Sequence, residues 1–219
     1  MERIPEPEVM DNPAQAVAYA RADFAEVNQA FVDRFRFTFP DLIGGRVVDL
    51  GCGPADIPIR LARALPGVRI MAVDASAAML ELARVAVAKA GLVGHIAVVE
   101  GRVPGVALPD AGFEAVISNS LVHQLPDPLP FWREARRLAR SGAAILVVDL
   151  LRPESPDRAR QIVETYSSQE EPVLKRDFFN SLCAAFTPDE VAAHLRAAGL
   201  GHLRPQVISD RHWAVAGRV

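Results

Sequence analysis

The residues best placed to do chemistry lie in the run Val47-Val48-Asp49-Leu50-Gly51-Cys52-Gly53-Pro54-Ala55-Asp56 and at Asp74. Gly51 and Gly53 allow backbone conformations closed to other residues and let amide groups approach a ligand closely. A helix that follows such a turn points its positive end at the same spot, which favours an anionic group. An acid at a strand end about 20 residues beyond a glycine turn suits the two hydroxyls of a ribose. Asp49 adds a second carboxylate, two positions before Gly51. It would repel a pyrophosphate and attract a cation, directly or through water. The third glycine of a dinucleotide-binding G-x-G-x-x-G is missing, because Asp56 stands in its place. A nicotinamide-dependent oxidoreductase is therefore a poor reading.

These side chains need parallel strands to hold them. Arg46 to Leu50 reads as a buried strand, Asp56 to Leu65 as a helix, and Val68 to Val73 as the next strand. Ser76 caps a helix with apolar Met79, Leu82 and Val85 at helical spacing, ended by Gly91. His95 to Val99 and Phe113 to Ser118 are further strands, separated by the turn Pro109 to Gly112. Pro128 to Leu138 is a helix, and Ala143 to Asp149 is a fifth strand. Strict β-α alternation demands a doubly wound, mostly parallel sheet. The helix Thr187 to Ala198 opens with a capping box. Leu203 to Ile208 and His212 to Gly217 then close the chain as a hairpin.

Val48-Asp49-Leu50-Gly51-Cys52-Gly53 resembles the first motif of the class I S-adenosylmethionine-dependent methyltransferases, and Asp74 resembles their ribose-binding acid. The resemblance implies an α/β, Rossmann-like, doubly wound seven-stranded sheet with an antiparallel last strand and helices on both faces. It implies S-adenosyl-L-methionine as cofactor and S-adenosyl-L-homocysteine as product. Carried over position by position, it gives cofactor contacts at Asp49, Gly51, Cys52, Gly53, Asp74, Ala75, Met79, Gly101, Arg102, Val103, Asn119 and Ser120. Tyr19, Arg21 and Phe24 are possible lid contacts. Many relatives carry an aspartate where this chain has Arg102. An arginine accepts no hydrogen bond, so a backbone carbonyl receives the adenine amino group or Arg102 stacks on the ring.

The remaining readings concern the acceptor. The methyl on a sulfonium is already activated, so positioning and desolvation do most of the work. A general base matters only if the nucleophile loses a proton in the reaction, and His123, after the fourth strand, is the candidate. Asp149, at the end of the fifth strand, is a second candidate with an equally good structural role. The polar insertion Pro153 to Phe186, with a helix over Asp157 to Tyr166, reads as a substrate cap. Tyr166, Phe178, Phe179 and Asn180 are its candidate contacts. Residues 1–219 read as one domain: helical lid (1–42, with helices from Asn12-Pro13 to Arg21 and from Phe24 to Phe37), cofactor core (43–152), cap (153–186), closing helix and hairpin (187–219).

Net charge −3 offers no electrostatic reason for a nucleic-acid or membrane partner. Arg133, Arg136 and Arg137 read as a solvated helix face. Two cysteines outside any C-x-x-C pattern and unpaired histidines support no metal site. The acidic, proline-broken start Met1 to Glu8 does not look like a signal peptide, and no apolar run approaches a membrane span. The expectation is a cytoplasmic monomer or homodimer that methylates a small molecule. The alternatives are a non-catalytic S-adenosylmethionine-binding sensor or scaffold, and a methyltransferase acting on RNA or protein.

Overall fold

Burial on both faces of the central strands decides the architecture. The protein is described here by a computed structural model that covers residues 1–6, 16–17, 19–20 and 24–219. The expected helix start at Asn12-Pro13 and the lid contact at Arg21 lie outside these residues. The first complete helix is α1 (Ala25–Thr38), which buries Phe31, Val32 and Phe35. Then come β1 (Gly44–Leu50), α2 (Asp56–Ala64), β2 (Gly67–Asp74), α3 (Ala77–Lys89), β3 (Ile96–Glu100) and β4 (Phe113–Asn119). A 3-10 turn, Val122–Gln124, leads to α4 (Leu129–Leu138) and β5 (Ala139–Leu150). The chain ends with α5 (Pro156–Ser167), α6 (Pro172–Ala184), α7 (Pro188–Ala197), β6 (Pro205–Val207) and β7 (His212–Arg218).

The seven strands lie in the order β3-β2-β1-β4-β5-β7-β6. Pairing is parallel from β3 through β5, and β7 runs antiparallel to both of its neighbours. Successive residues feed opposite faces, as a pleated strand requires. Val47, Ala115, Ile117, Leu146 and Val148 pack in one core with α1, α2 and α3. Val48, Val116, Ile145 and Val147 pack in the other with Phe131 and Trp132 of α4 and Val191 and Leu195 of α7. Strand order reverses between β1 and β4, so a crevice opens at their carboxyl ends.

Three elements depart from the sequence reading. β5 begins at Ala139, four residues before the expected Ala143, because the ladder to β4 resumes beyond an irregularity at Phe113/Ala115. The cap holds a second helix, α6, and packs as a helical hairpin on Leu150, Ala159, Ile162, Val163, Leu182 and Ala185. Two of the three arginines read as a solvated face act as staples: Arg137 grips the buried Glu134 at 2.7 Å, and Arg136 donates to the carbonyl of Ala198 at the end of α7. No helix among the described residues is long and apolar enough to cross a membrane.

Candidate active site

The turn after β1 is tied down by the end of β2. The amides of Gly51 and Cys52 both donate to the Val73 carbonyl, at 2.8 and 2.9 Å. Gly51, Gly53 and Ala55 all adopt positive φ (+77°, +52° and +67°), so the chain coils tightly before α2 starts. A Cβ on Gly51 would lie 3.0 Å from the side chain of Leu121, whereas one on Gly53 would meet nothing within 4 Å. The second glycine therefore faces open space.

Asp74 closes the circuit. Its carboxylate accepts the amides of Gly53 at 2.8 Å and Ser76 at 2.9 Å, which fix its plane beside the glycine turn. Ser76 in turn caps α3 through the Met79 amide, and the Gly101 amide donates to the Asp74 carbonyl. β2, α3 and the segment after β3 are thus locked around a single acid. On the other side of the crevice, the Ser118 hydroxyl bridges β4 to the Leu50 carbonyl at 2.7 Å. Ser120 is held at φ +56° with its amide on the Val148 carbonyl. A non-glycine residue there stores strain, and such strain clusters at functional sites.

A cavity of about 550 Å³ occupies the crevice, within the ordinary range of small-molecule sites. All thirteen of the expected cofactor positions line it: Tyr19, Asp49, Gly51, Cys52, Gly53, Asp74, Ala75, Met79, Gly101, Arg102, Val103, Asn119 and Ser120. The sequence reading missed Asn28 of α1, and Leu121, Gln124 and Leu125 of the turn after β4. Asn28 has a local role, because it and Arg60 both bond Asp56 at the head of α2 (2.9 and 2.7 Å). No sequence motif announces that link.

Charge inside the cavity is unevenly matched. Asp49 is only 2% exposed, and no described cation pairs with it. Burial, aided by the neighbouring Asp74 charge, pushes its carboxyl up to about 8. Burial, then the charges of Asp74 and Asp149, raise the Tyr19 phenol to about 12, so it stays a hydrogen-bond donor. A ligand bearing an ammonium or sulfonium would relieve Asp49, and a ribose diol would meet Asp74. The positive end of α2 would receive a carboxylate. The residues fit S-adenosylmethionine.

His123 and the cap lie elsewhere. The His123 ring is buried outside the cavity lining, with Nδ1 2.5 Å from Asp149 and Nε2 3.3 Å from Glu6. Burial opposes its charge, but the two carboxylates outweigh that and raise it to about 9. Asp149 also accepts the amides of Val122 and His123. Phe178 and Phe179 pack on the α5–α6 core, and the Tyr166 hydroxyl donates to Asp210 under the guanidinium of Arg211. Asn180 lies on α6, and none of these four cap residues lines the cavity. Among the described residues no group of His, Cys, Asp and Glu is arranged to hold a metal.

Comparison with known proteins agrees with this geometry. A family model described as a methyltransferase domain matches residues 47–143, from β1 into β5. The chain is 28% identical over 179 residues to 27-O-demethylrifamycin SV methyltransferase of Amycolatopsis mediterranei, covering 82% of this chain and 62% of the relative. It is 31% identical over 160 residues to trans-aconitate 2-methyltransferase of Streptomyces coelicolor, covering 70% and 50%. The chain thus spans half to somewhat under two thirds of these relatives. A crystal structure of an S-adenosylmethionine-dependent methyltransferase from Aquifex aeolicus superposes with a TM-score of 0.67 at 18% identity, covering 95% of this chain and 98% of that one. Family model, relatives and fold are all those of S-adenosylmethionine-dependent methyltransferases, the class that the cofactor loop also resembles. The cofactor of that family is S-adenosylmethionine, and the product it leaves is S-adenosylhomocysteine.

Proposed function

We propose that the protein transfers a methyl group from S-adenosylmethionine to a small-molecule acceptor by in-line displacement, chiefly through positioning. One observation carries this reading: all thirteen residues expected at the cofactor converge on one cavity, which continues along the uncharged wall Asn119, Ser120, Leu121, Gln124 and Leu125. The cofactor supplies an activated methyl. The protein supplies a fixed ribose acid, a buried carboxylate for the cationic end and a wall that excludes water. Holding the reactants in line is worth roughly 7–11 kcal/mol of barrier without any covalent step.

No histidine lines the cavity, and Tyr19 remains protonated at neutral pH. The reading therefore favours an acceptor atom that arrives deprotonated or needs no proton removed, such as a carboxylate, an acidic phenol or a thiolate. The rifamycin and trans-aconitate relatives, named for small acceptors, support the substrate class. His123 is assigned to hold the turn after β4. Tyr166, Phe178, Phe179 and Asn180 are proposed to shape the cap from outside the cavity. Calorimetric titration with S-adenosylmethionine, S-adenosylhomocysteine and NADH tests the cofactor, and a methyl-label screen over acidic small molecules tests the acceptor. Micromolar binding of the two sulfur ligands alone, followed by label transfer, is expected. S-adenosylhomocysteine binding with no transfer across the screen would favour a sensor.

A further inference from the structure

Beyond Asn119, the last residue of β4, the acceptor wall has no strand to hold it. It is the stretch from Asn119 to Leu125, built around a single 3-10 turn whose two bonds are the amides of Gln124 and Leu125 on the carbonyls of Leu121 and Val122. From the sheet side, Asp149 grips it through the Val122 amide and the His123 ring. Its outer side is gripped by residues 1–6, a stretch that reads in the sequence as a solvated, proline-broken start.

The grip is unusually complete for so short a segment. The guanidinium of Arg3 donates to the carbonyls of His123 (2.9 Å), Leu125 (2.8 Å), Pro126 (3.2 Å) and Ala184 (2.6 Å). It also sits 4.0 Å above the Phe186 ring. Three of these carbonyls belong to the turn or its immediate exit, and the fourth is one that the end of α6 leaves without an intrahelical partner. The Ile4 amide takes the adjacent carbonyl, Cys183, at 3.0 Å. Three residues on from Arg3, Glu6 accepts the Ser181 hydroxyl of α6 at 3.0 Å while its other contact is Nε2 of His123. The arm therefore bonds the turn and α6 at once, through two side chains of opposite charge.

We propose that Arg3 and Glu6 are positioning residues for the acceptor side of the cavity: they clamp the 119–125 wall to α6 and so set the shape against which the acceptor is held. The term acceptor side rests on the methyl-transfer reading; the clamp itself does not. Arginine is required by geometry. Its planar fork presents five donors, enough for four carbonyls and a ring face, whereas a lysine ammonium presents three donors about one point.

The test is hydrogen exchange followed by mass spectrometry or NMR on the full chain, in wild type, Arg3→Lys, Arg3→Met and Glu6→Gln. Asp41→Asn, which breaks the exposed pair with Arg218 on the far side of the sheet, serves as control. In both Arg3 variants the amides of Gln124 and Leu125 are expected to exchange at least tenfold faster, and those of β1 and β4 to stay within twofold of wild type. Glu6→Gln is expected to move the His123 ring resonances and leave those of the exposed His202 in place. S-adenosylhomocysteine affinity, measured alongside, should remain within threefold, because the clamp does not touch Asp49 or Asp74; wild-type binding reads the cofactor assignment separately. Unchanged exchange at Gln124 and Leu125, full rescue by Arg3→Lys, or acceleration spread equally over the sheet would overturn the proposal.

Discussion

Replacing Asp49 with asparagine should make the protein more stable and a poorer binder, with both effects set by pH. In the folded protein this carboxyl titrates near 8, because burial and Asp74 disfavour its charge; in the unfolded chain it returns to 3.8. Between those values the folded state holds a proton that the unfolded state has released, so stability falls as pH rises through the window. At pH 7 the penalty is about 1.36 × (7 − 3.8), or roughly 4 kcal/mol, and it vanishes toward pH 4. An asparagine amide is close in shape to the protonated acid and carries no such penalty. The Asp49→Asn variant should gain about 4 kcal/mol at pH 7, on the order of 10 °C in Tm for a chain of this size. Binding runs the other way. A carboxylate about 4 Å from an ammonium at an effective dielectric near 20 gains about 4 kcal/mol. Stripping the proton at pH 7 costs about 1.4 kcal/mol of that, leaving near 2.6 kcal/mol, or about a hundredfold in affinity. At pH 5.5 the proton costs about 3.4 kcal/mol and the two proteins should bind almost alike. Urea unfolding and calorimetry with S-adenosylhomocysteine, at pH 5.5 and 7, measure both sides. An Asp49→Asn protein no more stable than wild type at pH 7, or an affinity ratio flat in pH, would refute the reasoning.

Other substitutions separate the remaining roles. Asp74→Ala removes the acceptor that organises Gly53 and Ser76 and is expected to cost at least a hundredfold in S-adenosylhomocysteine affinity, at about 1.5–3 kcal/mol per charge-assisted bond; unchanged affinity would sink the ribose assignment. Gly51→Ala and Gly53→Ala should differ in kind. Both pay about 1–2 kcal/mol for a left-handed residue. Only the first also crowds Leu121, so it should show the larger loss of stability by urea unfolding. Gly53→Ala adds a methyl facing open space in the cavity, so its loss should appear mainly in binding. The His123 imidazole, raised to about 9 by Asp149 and Glu6, should still be protonated at pH 7.5 in an NMR titration. Its contribution, about 3 kcal/mol, is fully present below pH 6.5 and lost as pH climbs through 9, so His123→Gln should destabilise more at pH 6 than at pH 10. A measured value below 7 would contradict the buried acid–histidine–acid arrangement.

The two halves of the cavity were unequally legible in the sequence, for a physical reason. The cofactor half is fixed by local constraints. Left-handed backbone demands Gly51 and Gly53, a strand end places Asp49 and Asp74, and a serine cap starts α3. Continuous apolar runs mark strands buried on both faces, whose successive residues feed the two cores, and glycine turns mark where strands stop. Each of these signals lies within a few residues of what it determines. The proposed acceptor half is assembled from segments that meet only in the folded chain: the hydrogen bonds of Arg3 join residues 120 to 181 positions apart. Their acceptors are backbone carbonyls, which any residue supplies, so no pattern of types could reveal them. The cap is hard to read for the same reason: Phe178 and Phe179 pack against the α5–α6 core, a contact that no local pattern announces. α6 itself hides because Pro172–Ala184 mixes polar and apolar residues without a strong stripe. If specificity is held by such distant contacts, exchanging the arm together with α6 between two relatives should move acceptor preference, whereas exchanging either alone should break the clamp and lower turnover with both acceptors. Cofactor affinity should survive all three exchanges, since Asp74 holds the glycine turn and β1 pairs with β2 without help from the arm.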